Sequence, residues 1–146
     1  MNRGVSRSED EVAAVHLGYS ENFKSSDTLL VEGDTEGLRH LAGVLRSLEK
    51  GSADIVDIDA LPFVQSHHGV RLTAKRSRRE LVKPIGHSSN EFTWERTEAG
   101  WQDAADKLEA LIGHGEGHQY SDSVGDQVVV QVSKGEYGSD WWKRHG

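Results

Sequence analysis

The sequence predicts an α+β fold: a mainly antiparallel sheet with two helices packed on one face, built from two degenerate strand–helix–strand(–strand) units. Three observations predict it. Apolar residues recur at helical spacing in two stretches, from Leu38 to Leu48 and from Trp101 to Ile112. Short β-branched or alternating runs flank both stretches. The two halves also align at an offset of 63 residues, which sets Val31 on Trp94, Gly37 on Gly100, Leu38 on Trp101, Ala42 on Ala105, Leu45 on Leu108 and Leu48 on Leu111.

Taken in order, residues 1–11 are polar and read as a flexible tail, and residues 12–146 read as a single domain. Val12 to Tyr19 reads as strand or helical turn, with strand favoured, and Asn22 to Asp27 as a loop. The first unit spans about 28–75. It opens with a strand from Thr28 to Glu32, followed by a cap at Asp34 or Thr35 and Glu36 in the first turn, where a negative charge meets the helix dipole favourably. Gly51 is a natural stop. Short strands are expected within Ala53 to Asp59 and Leu61 to Gln65, and a clearer one from Gly69 to Lys75.

A basic linker of about 76–89 separates the units. The second unit, about 90–137, repeats the order: a strand from Glu91 to Arg96, a cap at Thr97, Glu98 in the first turn, a helix ending at Gly113, and a strand from Gln127 to Ser133. Gly37 and Gly100 are expected to bring each helix start close to a neighbouring strand. Residues 138–146 form a C-terminal aromatic segment.

Composition limits the function classes. With 35% hydrophobic residues, the 146-residue chain can build one modest core. No run approaches the ~18 apolar residues of a membrane span, and Met1 to Asp10 lacks the apolar stretch of a secretory signal. The absence of cysteine rules out disulfides, Cys-type zinc sites and a thiol nucleophile. A cytoplasmic location fits these features. A net charge of −7 argues against general nucleic-acid binding and suits a basic partner. The charge is uneven: Arg71 to Lys83 holds six bases and one acid, while the segments on either side are acidic. That basic stretch has no interleaved aromatics to stack on bases, and it reads as solvated linker.

The segment from Gly113 to Asp122 is the most suggestive for chemistry. His114, Glu116 and His118 alternate, so in an extended chain they point one way and could converge on a metal ion. The favoured reading is exposed loop residues or strand-edge polar groups, and a zinc site would need a further ligand that the sequence does not mark, so no metal is assigned. His67 and His68 precede a strand, and His87 and His145 sit in polar surroundings. Ser121 and Asp122 near His118 do not form a triad motif, and no nucleophile or paired carboxylate is placed by spacing. No catalytic residue and no cofactor is therefore assigned. Trp94 and Trp101 belong to the core, whereas of the adjacent Trp141 and Trp142, beside Tyr137, one can pack back and the other stand exposed as a binding anchor.

The stretch Val31 to Leu41 (VEGDTEGLRHL) resembles the helix opening of a bacterial polymorphic-toxin immunity family, the one numbered thirty-two in that series. His118 to Tyr120 and the Val-rich strand ending in Ser133 to Tyr137 (SKGEY) resemble the rest of its pattern. The resemblance covers Thr28 to Leu48 and about Gly117 to Tyr137, interrupted by a long insertion or second copy. It implies a protein that binds and neutralises a cognate toxin through an acidic surface, without catalysis. A basic nuclease is the toxin such a surface fits. The candidate partner-binding residues are Glu116, Asp122, Asp126, Glu136, Asp140 and Trp142. The alternatives are a small His/Glu metal-dependent enzyme and a regulatory ligand-binding domain.

Overall fold

Helix α1 (Thr35–Lys50) begins where Asp34 supplies its carboxylate: Oδ1 accepts the Gly37 amide at 2.8 Å, with Glu36 in the first turn. Leu38, Leu41, Ala42, Leu45 and Leu48 face inward, and Gly51 ends the helix in the left-handed region at φ 82°. Helix α2 (Glu98–Ile112) repeats this arrangement. Thr97 Oγ1 accepts the Gly100 amide at 3.1 Å, and Trp101, Ala104, Ala105, Leu108 and Leu111 are buried. Each buried leucine contributes roughly 1.5–3 kcal/mol, so these two faces supply much of the drive to fold.

The structure, a computed structural model, describes residues 15–23, 26–86, 90–115, 118–122 and 128–135. Its strands are β1 (Val15–Phe23), β2 (Ser26–Gly33), β3 (Ile55–Asp57), β4 (Val64–Ser66), β5 (Arg71–Arg76), β6 (Leu81–Pro84), β7 (Glu91–Arg96), β8 (His118–Asp122) and β9 (Val129–Lys134), with a 3-10 turn at Ile58–Ala60. The class is α+β, as expected, and four of the seven strand pairings are antiparallel.

The strands divide between two sheets rather than one. The five-stranded sheet runs β4-β1-β2-β9-β8 and the four-stranded sheet β3-β5-β7-β6. The cause is a crossover. The last strand of each unit pairs in parallel with the strand that precedes the other unit's helix: β9 with β2, and β5 with β7. If β1 is matched to β6, β2 to β7, β9 to β5 and β8 to β3, the two sheets have the same order and register. Val31 faces Val132 in one, and Trp94 faces Ala74 in the other. β4 is an addition on the outer side of β1. The two units are thus interleaved, and neither completes a sheet alone.

The helices pack on each other and on both sheets, and one apolar cluster joins all these elements. Trp94 meets Trp101 edge to face, with ring centroids 4.8 Å apart, and the Trp101 indole N–H donates to the Lys75 carbonyl at 3.2 Å. Two cations close the helix C-termini in equivalent ways. Arg76, at the end of β5, donates to the Leu48 and Glu49 carbonyls at 2.5 and 2.7 Å. Lys134, at the end of β9, donates to the Ile112 and His114 carbonyls at 2.7 and 2.5 Å.

This corrects the reading of residues 76–89 as linker. Arg76 is a helix cap, and the segment contains β6, whose Val82 is buried opposite Trp94. The stretch after Gly113 likewise contains β8. The tail at 1–11 and the aromatic segment at 138–146 lie outside the described residues.

Candidate functional site

Of the six residues expected to bind a partner, Glu116, Asp126, Glu136, Asp140 and Trp142 lie outside the described residues, as do His87, Tyr137, Trp141 and His145. Asp122 closes β8, opposite Val130. The structure does bring His114 and His118 together. Their rings stack with centroids 4.8 Å apart and planes 16° apart, and the His118 Nδ1–H donates to the Gly115 carbonyl at 2.9 Å. Stacked rings direct their nitrogens side by side rather than toward a common point, which is a poor start for chelation. Among the described residues no three metal-competent side chains gather.

The histidine stack borders a groove of about 360 Å³ between the C-terminal half of α2 and β8. Lys107, Ala110, Leu111 and His114 line it from the helix side, and His118 and Tyr120 from the strand. The outer surface of α2 leads to this groove and is acidic. Glu98, Asp103, Asp106 and Glu109 are exposed there against a single lysine, Lys107. Arg46 reaches across from α1, donating to Asp106 at 2.6 Å and to Glu109 at 2.6 and 3.0 Å. Hydrogen bonds from that guanidinium hold the Glu109 carboxyl below the usual range.

A second cluster was not foreseen. Gln65, His16, Glu32, Ser133 and Gln119 stand abreast, one on each strand of the five-stranded sheet. They lie on the face opposite the core-facing Leu17, Val31 and Val132. Glu32 and Ser133 are only 3% and 0% exposed. Gln131 Nε2 donates to Gln119 Oε1 at 2.7 Å and lies 3.3 Å from Ser133 Oγ.

His16 Nδ1 and His67 Nε2 are 2.9 Å apart. Their ring centroids are separated by 5.1 Å, close to that N···N distance plus two ring radii. The nitrogens therefore meet end-on and share one proton; the geometry suits a proton better than a metal ion, toward which both lone pairs would have to turn. Burial pushes both imidazoles below their ordinary value, and for His67 repulsion from His16 and His68 adds to it.

The other sheet holds the equivalent carboxylate, Glu95, which is 5% exposed. Burial alone would raise it. Hydrogen bonds from Ser77, Arg79 and Thr93, with the Arg79 charge, outweigh that and hold it below the usual range. The sequence signal for this face is the alternation of Val15, Leu17 and Tyr19 with His16 and Gly18, a period of two that marks a strand with one polar side.

Compared with protein-family models, with curated proteins and with solved structures, the chain matches none. Among the described residues, no helix is long and apolar enough to cross a membrane.

Proposed function

We propose that this chain is a partner-binding protein of the toxin-neutralising immunity type, acting in the cytoplasm. The observation that carries the reading is the outer face of α2. Four exposed carboxylates and one lysine line it in a chain of net charge −7, beside a groove that none of those carboxylates lines. Such a face attracts a basic partner to the helix surface itself and disfavours acidic ones there. Neutralisation needs occlusion only, so no catalytic group is required. The test is genetic. The open reading frame immediately upstream is expected to arrest growth when expressed alone in a laboratory bacterium, and co-expression of this chain is expected to restore it. Asp103→Lys combined with Asp106→Lys should weaken the rescue. A harmless upstream frame, or toxicity that this chain leaves unchanged, removes the reading.

The His16 and His67 pair, with the buried Glu32 abreast of His16, favours a second reading, a small histidine-dependent enzyme or a regulatory ligand-binding domain, because perturbed imidazoles gather at functional sites. The two readings separate on His16→Ala and His67→Ala: an enzyme or sensor loses function in both, whereas neutralisation through α2 persists.

A further inference from the structure

The groove between α2 and β8 has a counterpart between α1 and β3, and the two differ in how they are closed. Matching the halves sets Lys107 on Val44 and Tyr120 on Val56. In the first half Val44, Ala53 and Val56 pack against the core, and the Ala53 amide donates to the Ser47 carbonyl at 3.2 Å. The chain fills that groove with its own small apolar side chains. After α2 the turn reads Gly113, His114, Gly115, with no apolar side chain to fold inward. A Cβ built on Gly115 would meet nothing within 4 Å. Among the described residues nothing fills this groove, and His114, His118 and Lys107 stand exposed along it. β8 is also the end strand of its sheet and carries neither proline nor lysine, whereas the end strand β6 carries both, as Lys83 and Pro84.

The geometry points to this groove as a docking site for an extended segment of a protein partner, one that alternates apolar and acidic residues. The segment lies along β8 and sets an apolar side chain against Ala110, Leu111 and Tyr120, where Val44, Ala53 and Val56 serve in the other half. Its carboxylates face Lys107, His114 and His118, since no carboxylate is among the groove-lining residues. Lys107 pairs with Asp103 at 3.1 Å, but both are about half exposed, and such a pair exchanges partners at small cost. The site serves any partner that presents such a segment, toxin or not.

The test titrates ¹⁵N-labelled protein with the peptide acetyl-Glu-Val-Glu-Val-Glu-amide and with its lysine counterpart. The glutamate peptide is expected to shift the amide signals of His114 and of His118 to Asp122. Ala110→Leu, which fills the groove from an exposed helix position, and Lys107→Glu, which reverses its charge, are each expected to weaken binding about tenfold, or ~1.4 kcal/mol. Unchanged thermal midpoints would show that both variants remain folded. The proposal is overturned if the glutamate peptide leaves these signals unmoved at millimolar concentration, if both variants bind it as the parent does, or if the lysine peptide binds equally well. None of these results bears on growth rescue, which reads the whole partner.

Discussion

Gly43 and Gly100 both lie within helices, yet the same substitution should act on them in opposite directions. Gly43 is exposed in mid-α1, and an added Cβ would meet nothing within 4 Å. Gly43→Ala should stabilise the fold by about 1 kcal/mol, the difference in helix propensity. A Cβ on Gly100 would fall 2.6 Å from Glu80 Oε1 and 2.7 Å from Arg96 Nε. Glu80 is held there by Arg96 Nε at 2.7 Å and by the Thr97 amide at 3.0 Å, and these bonds outweigh burial in keeping its carboxyl below the usual range. Moving it costs on the order of 1.5–3 kcal/mol in charge-assisted hydrogen bonds, more than the helix gains. Urea midpoints should therefore rise for Gly43→Ala and fall for Gly100→Ala; a rise in both would mean that Glu80 yields freely.

Acid should unfold the protein in two stages. The lowered imidazoles of His16 and His67 favour neutrality in the fold, so the unfolded chain takes up protons first, and stability declines as pH drops below about 6.5 until the folded pair titrates. Glu80, Glu95 and Glu109 are lowered too; as acids, they contribute fully above the ordinary carboxylate range and lose that contribution as pH falls through their folded values. His67→Gln keeps a hydrogen-bonding group without the charge and should flatten the first stage. A decline between pH 7.5 and 5.5 that survives the substitution would trace to other groups.

At the scale of elements, Arg46 ties the two helices together through Asp106 and Glu109 while also holding Glu49 at 2.8 Å. Arg46→Ala should cost about 1 kcal/mol, because Asp106 and Glu109, its partners on the other helix, are about half exposed. The difference from the parent should shrink between 0.05 and 0.5 M salt, roughly the range over which screening becomes strong; equal loss at both would indicate packing by the arginine stem instead. The helices themselves were legible in the sequence. Asp34, Thr97, Gly51 and the leucine faces act locally, and local chemistry is what periodicity reports.

The sheets were less legible. β6 is four residues long, and its identity depends on Val82 meeting Trp94, a contact made by tertiary packing. Nothing in the local pattern of β5 distinguishes pairing with β7 from pairing with β2. The His16 to Ser133 row was hidden for the same reason, since its members come from five separate strands. Of the site, the sequence marked His114 and His118 as neighbours, but they meet across the end of α2 and the start of β8 rather than by alternating along one strand, and the groove beside them depends on how α2 packs against β8.

At the scale of the whole molecule, interleaving makes the halves interdependent. β2 and β7 each need a strand from the other half on one side. Fragments 1–88 and 89–146, expressed separately, should each fail to show a cooperative thermal transition, and mixing them should restore one together with the tryptophan environment of Trp94 and Trp101. A fragment that melts cooperatively as a monomer would show that a single unit suffices. Pairings so distant in sequence also favour slow folding, because the loop entropy is lost before the sheet forms.

The register of the five-stranded sheet has a mechanical consequence as well. Val15 sits opposite Gly33, and Gly33 opposite Lys134, so the first and last described strands end in the same row, two strands apart. A load applied at Val15 and Lys134 pulls across the strands, along the hydrogen bonds, and opens the ladder rung by rung rather than shearing all rungs at once. The same protein gripped at Val15 and at the far end of β9, near Val129, is loaded along the strands and should resist much higher force.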